Sequence, residues 1–152
     1  MLLYGVRALT TALNTANDLL TITGGATRSC FITEVDAEGA GTSSTYAEFV
    51  FQRVTTAGVT PVAFTPVPIN QAGSASSFTC ATGWTTQPVV TANTQLHAFG
   101  INVNGQRYFW RAQNVYDCIP VQGGANAAAQ LSIRPTVTGS SNASMRLRVV
   151  EV

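Results

Sequence analysis

The sequence has few charged side chains and no lysine. Only 10% of its 152 residues are charged, the eight basic residues are all arginine, and the formal net charge is +1. Phosphate binding requires a dense basic patch, so this composition argues against direct contact with nucleic acid. A weakly charged surface is typical of a protein that other copies of itself or a partner partly cover. The arginine-only set fits such an interface and fits GC-rich codon usage equally well.

Cysteine and long apolar runs are also scarce. Cys30, Cys80 and Cys118 have neither CxxC spacing nor an even count, so we expect buried, reduced thiols rather than disulfides or a zinc site. No segment reaches the ~18 apolar residues of a membrane span, and the first residues show no leader pattern. We therefore expect a chain that is made in cytoplasm and has no membrane contact.

Candidate catalytic and metal-binding residues are few. A nucleophile–base pair would have to use the only histidine, His97, and no serine lies in a G-x-S-x-G elbow. Glu34, Asp36 and Glu38 have the spacing of a metal loop but lack the glycine and distal glutamate of a calcium site. We interpret them as a solvated turn. The sequence predicts no enzyme, no cofactor and no metal site.

Alternation of apolar and polar residues predicts strands, and no segment has the pattern of an amphipathic helix. Strands are predicted at 2–9, 19–23, 28–35, 46–54, 77–81, 115–121, 131–137 and 144–152. Loops are predicted at 36–44 and 123–129, and the proline-rich segment 55–88 predicts edge strands and long loops. The pattern indicates an all-β fold, an antiparallel β-sandwich of jelly-roll type with about eight strands, in a single domain covering 1–152.

The clearest local signal is the segment 95–112, which predicts a β-hairpin around Asn104-Gly105, the favoured pair for a two-residue turn. That register places five residues on a core face: Phe99, Ile101, Val103, Tyr108 and Trp110. His97 falls on the same side, which favours a structural role over that of a general base. The outer face carries Arg107, Phe109 and Arg111.

The row Arg107, Phe109 and Arg111 has three interpretations. It can contact another subunit, since arginine and aromatic residues are enriched at interfaces. It can be a solvated face, with the arginines paired with Glu48 or Asp117 and with Phe109 covering a glycine. It can stack nucleobases or sugars. We rank the first two equally and nucleic acid below both.

Four stretches give the chain its overall character: ANDLLTITGGATRSCFITEV, EGAGTSSTYAEFVFQRV, LHAFGINVNGQRYFWRA and LSIRPTVTGSSNASMRLRVVEV. In the character of these stretches and in strand order, the chain resembles the small jelly-roll decoration (cement) proteins of tailed-phage heads. The resemblance implies a homotrimer on the outer capsid surface of the virion, bound to the major capsid protein and made in the host cytoplasm. It brings no catalytic or ligand-binding residues.

The exposure pattern supplies candidate contacts for this role. The candidate subunit contacts are Arg107, Phe109, Arg111, Tyr46, Glu48 and Gln52. The candidate capsid contacts are Met1, Leu2, Pro61, Pro66, Pro68 and Trp84. The alternative function is a carbohydrate- or host-receptor-binding β-sandwich module of a phage head or tail fibre, which would use the aromatic residues Trp84, Phe109 and Tyr116.

Overall fold

The computed structural model describes residues 1–10, 13–26, 28–42, 44–69, 73–121, 130–139 and 142–152. Within these residues the chain forms twelve β-strands, one 3₁₀ helix at Val115–Asp117 and no α-helix. The strands are β1 Leu2–Thr10, β2 Leu20–Thr23, β3 Cys30–Gly39, β4 Tyr46–Thr56, β5 Val62–Phe64, β6 Val67–Pro68, β7 Thr79–Thr82, β8 Val89–Asn102, β9 Arg107–Arg111, β10 Ile119–Val121, β11 Gln130–Pro135 and β12 Ala143–Glu151. No helix in this part of the chain has the length and apolarity to cross a membrane.

The strands form two antiparallel sheets. Sheet I has the order β10-β3-β12-β1-β6, with β9 also paired to β3, and sheet II has the order β5-β7-β2-β11-β4-β8. Eight strands pair as one long ribbon: β1 with β12, β2 with β11, β3 with β9 and β4 with β8. Rolling the ribbon places β12 beside β3 and β11 beside β4, which is the jelly-roll arrangement. The predicted fold class is therefore confirmed.

The core lies between the sheets and follows from the alternation along each strand. In β4, Ala47, Phe49 and Phe51 are fully buried, while Glu48 and Gln52 lie on the outer face, as the sequence predicts. Because successive side chains of a strand point to opposite faces, one face of each sheet supplies the core. Burial of each large apolar side chain contributes ~1.5–3 kcal/mol.

Strand β3 is longer than predicted and contains a bulge. Glu34 pairs with Arg148 and Ile32 pairs with the next residue of β12, so Thr33 is an extra residue without a partner. The bulge shifts the alternation by one residue, which allows both Ile32 and Val35 to face the core. The predicted loop at 36–44 is wrong in its first part, because β3 continues to Gly39 with β12 and β9 paired to it.

The predicted hairpin does not form. Strand β8 pairs with β4 in sheet II and β9 pairs with β3 in sheet I, so Asn104-Gly105 lies at a corner between the sheets. Gly105 has a φ of 80° and Asn104 does not have a positive φ, whereas a type I′ hairpin turn requires both. The predicted core face is still correct, because both strands turn these side chains between the sheets. Phe99, Ile101 and Val103 are buried, and Tyr108 and Trp110 pack against them.

The sandwich has two different lateral sides. On one side, β5 and β6 lie at the edges of the two sheets and are joined through Thr65 and Pro66. Both strands belong to residues 57–88 between β4 and β8, which we call the insertion, and we call this side the insertion side. On the opposite side, which we call the open side, the edges are β8 in sheet II and β9 and β10 in sheet I. The strand predicted at 115–121 begins instead as the 3₁₀ helix, and the loop predicted at 123–129 lies outside the described residues.

Candidate interaction surfaces

The predicted row of Arg107, Phe109 and Arg111 is exposed on the outer face of β9. Arg107 holds Asp36 with two hydrogen bonds, from Nε to Oδ1 at 2.7 Å and from Nη2 to Oδ2 at 2.9 Å. The hydrogen bond from Arg107 lowers the pKa of the Asp36 carboxyl group. The Arg107 end of the row is therefore fixed by a bidentate ion pair.

The other end of the row is held by Glu34. Arg111 Nε lies 3.9 Å from Glu34 Oε2, and Arg148 Nε lies 3.2 Å from Glu34 Oε1 on the opposite side. The sequence-based pairing of the arginines with Glu48 or Asp117 is wrong, because β3 is the neighbour of β9.

Most of the charge of the protein lies on the outer face of sheet I. Five arginines and three acidic residues project there: Arg7, Arg107, Arg111, Arg146, Arg148, Glu34, Asp36 and Glu38. The acidic row of β3 lies between arginines of β9 and β12, so the predicted solvated turn is wrong. The spacing of two residues that suggested a metal loop is the periodicity of one face of a strand.

The second predicted set of subunit contacts lies on the outer face of sheet II. Tyr46 is 65% exposed, while Glu48 and Gln52 are half-buried. The ring of Tyr46 lies over Gly100, the position that the sequence had assigned to the ring of Phe109. The two predicted sets are thus on opposite faces of the sandwich and do not form one continuous surface.

Two of the predicted capsid-contact segments come together on the insertion side. Pro68 of β6 pairs with Tyr4 of β1, which brings the proline-rich segment against the N-terminal strand. Met1 is 95% exposed and Leu2 packs partly against the core. Pro66 is buried, so it offers little surface to a partner.

Trp84 and Pro61 lie farther along the insertion. Pro61 is exposed directly before β5. Trp84 is half-buried, packs closely on Gly58 and donates a hydrogen bond from Nε1 to Thr21 Oγ1 at 3.0 Å. Trp84 therefore anchors the insertion on sheet II, and little of its ring is available to a partner.

A buried polar network that the sequence did not single out lies beneath this anchor. Asp18 is 7% exposed and accepts hydrogen bonds from Thr21 Oγ1 at 2.7 Å, Ser132 Oγ at 2.8 Å and Arg134 Nε at 2.7 Å. Arg134 Nη2 also donates to Pro88 O at 3.0 Å. The network ties the insertion to β2 and β11, and its role is structural.

A second buried carboxylate lies at the end of β12. Glu151 is 2% exposed and accepts hydrogen bonds from Ser77 N at 2.9 Å, Arg28 Nη1 at 3.2 Å and Tyr4 Oη at 3.3 Å. Burial raises the pKa of Glu151, but the hydrogen bonds, chiefly from Ser77, outweigh burial and leave this pKa below its usual value. The charge is thus held by a structural cluster.

His97 has the surroundings of a structural histidine. Its ring is half-buried, its Nε2 lies 3.2 Å from Tyr108 Oη, and its centroid is 4.8 Å from the Trp110 ring. Burial lowers the pKa of His97. No carboxylate or serine among the described residues hydrogen-bonds to the ring, so the orienting group and nucleophile of a catalytic pair are missing there.

The three cysteines are free thiols, with Cys30 and Cys80 buried and Cys118 half-buried. Burial raises the pKa of Cys30 to about 12 and raises that of Cys80 as well. The described residues contain no group of three or more His, Cys, Asp or Glu side chains that could hold a metal ion.

Comparison of the chain with protein-family models, with curated proteins and with solved structures finds no match. The function is therefore argued from the fold and from the surfaces described above.

Proposed function

We propose that the chain is a decoration protein that forms a homotrimer on the outer surface of an icosahedral phage capsid and binds the major capsid protein. The resemblance of the sequence to the cement proteins of tailed-phage heads supports this function, and so does the jelly-roll strand order. A protein of this kind clamps neighbouring capsid subunits together. It needs neither a cofactor nor direct contact with nucleic acid or a membrane.

The observation that carries the proposal is an exposed apolar strip on the insertion side. Val67 of β6 is 70% exposed and the adjoining Ile69 is 50% exposed. Met1 is 95% exposed two residues before Leu3, whose carbonyl oxygen accepts a hydrogen bond from the Ile69 N–H, and it extends the strip. Apolar patches on a soluble protein mark interaction sites when they are contiguous. We assign this strip, together with Pro68, to the capsid contact.

The subunit contacts then use the parts of the two outer faces that border the open side. Arg107, Phe109 and Arg111 lie on sheet I, and Tyr46 with its neighbours Glu48 and Gln52 lies on sheet II. A cyclic trimer joins two different patches at each contact. Sets on opposite faces of one copy meet this requirement, because each copy can offer one set to each neighbour.

The test has two stages. Analytical ultracentrifugation and native mass spectrometry of the purified chain should give a trimer. Cosedimentation with heads of the encoding phage should show binding to expanded heads and not to immature ones. A monomer without affinity for either form of head would overturn the proposal.

Variants assign the capsid contact within this test. The double substitution Val67→Asp and Ile69→Asp should abolish head binding while the trimer persists. Val59→Asp is the matched control, because Val59 is 55% exposed on the same insertion but pairs with Thr86 in an isolated bridge and not with β6 or β1. Equal head binding by both variants would remove the strip from the contact.

The second candidate function is a carbohydrate- or host-receptor-binding module of a phage head or tail fibre. Tyr116 is 94% exposed on the 3₁₀ helix and Phe109 is 55% exposed on the neighbouring strand, and exposed aromatic rings can stack on sugars. Glycan-array binding that Tyr116→Ala abolishes, by a chain that does not bind heads, would favour this function. An array without signal would remove it.

A further inference from the structure

The strands at the sheet edges differ in how well they are protected against pairing with another chain. Strand β5 has three residues and follows Pro61, β6 has two residues and includes Pro68, β10 includes Pro120, and β9 carries Arg107 and Arg111. Short length, proline and charge are the common protections of an edge. Strand β8 has 14 residues, none of them proline, arginine, aspartate or glutamate.

The second half of β8 offers unpaired backbone groups. Residues 97–102 pair with β4 without interruption, whereas the register shifts lie in the first half. The Val103 N–H donates to Thr45 O at 2.9 Å, and the alternation of an antiparallel ladder then turns the N–H groups of Ala98 and Gly100 away from β4. Because β8 is the last strand of sheet II within the described part of the chain, these groups are available there to an added strand.

Aromatic side chains line the open side next to this edge. His97, Tyr108 and Trp110 are half-buried between the two sheets, and Tyr46 and Phe109 are exposed on the outer faces. The 3₁₀ helix adds Val115 and Tyr116, which are 66% and 94% exposed. Aromatic residues next to unpaired backbone are the composition of an interface core rather than of a solvated surface.

We propose that a second copy of this chain covers the open side, with the β8 edge of one copy lying against the β9 edge and the aromatic cluster of the next. The inference rests on the proposed homotrimer and specifies its contact. The open side presents one free edge from each sheet. Each copy therefore gives β8 to one neighbour and receives β8 from the other, so that the contacts close around an axis instead of extending into a fibre.

Charge permits this contact between identical chains. Strand β8 brings no charged side chain, apart from the histidine whose pKa burial lowers. The arginines of β9 already lie beside acids of their own chain: Arg107 is hydrogen-bonded to Asp36, and Arg111 Nε lies 3.9 Å from Glu34 Oε2. The approaching edge therefore meets no excess of like charge along β9.

The test compares two variants, each with one lysine on a different edge strand of sheet II. Ala98→Lys puts a charge beside the outward amides of β8, and Val62→Lys puts the same charge on β5 at the opposite edge, where Val62 is 63% exposed. Mass is measured by analytical ultracentrifugation, and folding is checked by thermal unfolding. We expect wild type and Val62→Lys to be trimeric and Ala98→Lys to be a folded monomer.

Hydrogen exchange gives a second readout that does not depend on a variant. The Ala98 and Gly100 amides point away from β4 and have no acceptor among the described residues, so slow exchange that becomes fast on dilution to monomer supports the contact. A trimer that survives Ala98→Lys, with both amides in fast exchange, overturns the inference and leaves the proposed trimer standing. A dimer that Ala98→Lys dissociates supports the contact and overturns the trimer, and a monomeric wild type overturns both.

Discussion

Phe99 of β8 and Tyr108 of β9 stack face to face across the interior, with ring centroids 4.2 Å apart and planes 3° from parallel. The two strands belong to different sheets. Phe49 also stacks on Phe99, at 5.5 Å. The aromatic stack thus joins the sheets at the open side, where no strand of one sheet pairs with a strand of the other among the described residues.

This stack can be measured as a coupling energy. Phe99→Leu and Tyr108→Leu should each destabilise the fold, and the double variant should lose less than the two single losses combined. The expected coupling energy is ~0.5–1.5 kcal/mol, which is the stabilisation that an aromatic pair usually provides beyond the burial of its area. Urea unfolding of the four proteins gives the value. Phe99→Leu combined with Tyr46→Leu is the control, and additive losses in both pairs would contradict a specific stack.

The sequence predicted which side chains of β8 and β9 face the core, but not which strands they pair with. Facing direction is a local property, because alternation along one strand decides it. Pairing is decided by the rest of the chain. Asn104-Gly105 is as compatible with a corner between sheets as with a hairpin, and β4, with 11 residues, offers β8 a longer partner than the five residues of β9 do.

The buried polar cluster around Asp18 could not be predicted from the sequence, because it also depends on which distant segments come together. Asp18 and Arg134 are separated by 116 positions, and each has an ordinary local interpretation, as a turn residue and as an outward residue of a strand. The row of Arg107, Phe109 and Arg111 was predictable, because exposure follows from alternation. Its acidic partner Asp36 was missed because the strand continues through a segment that reads as loop.

Gly39 should be far less tolerant of a side chain than Gly5. A Cβ at Gly39 would fall on the backbone of Val103, whereas a Cβ at Gly5 would lie 3.8 Å from the nearest atom, in Ile69. Both glycines lie in strands, so the comparison is matched. We expect Gly39→Ala to cost at least ~2 kcal/mol through overpacking against backbone and Gly5→Ala to cost less than ~0.5 kcal/mol, measured by denaturant unfolding. Equal costs would show that the corner relaxes freely.

Loss of Asp18 should both destabilise the fold and loosen the insertion. Asp18→Ala leaves Arg134, whose side chain is 16% exposed, without its carboxylate, and removing one partner of a buried ion pair costs ~3–5 kcal/mol. Trp84 emission should shift to longer wavelength, because Thr21, which binds both Asp18 and Trp84, loses its position. Asp36→Ala is the control at an exposed pair. A cost no larger than that of the control would contradict the structural role.

The stability of the protein should fall with pH in the range in which His97 titrates. Burial among Trp110, Tyr108 and Phe51 lowers the folded-state pKa of His97 below its ordinary value of 6.5. The unfolded chain therefore binds a proton at a higher pH than the folded chain does, and stability decreases as pH falls from 6.5 to the folded pKa. Asp36 and Glu151 have lowered pKa values, so they stay ionised in this range.

Urea unfolding between about pH 5 and pH 7.5, on both sides of the ordinary histidine pKa, measures this dependence. We expect wild type to lose stability at the acidic end and His97→Gln to lose much less, because glutamine does not titrate. Assembly would remove the His97 ring further from water if a second copy covers it. Raising the protein concentration should then make the free energy of unfolding of wild type depend more steeply on pH. The pH dependence of His97→Gln should not change. Parallel pH profiles for the two proteins would assign the acid sensitivity to other groups and would contradict a buried, neutral His97.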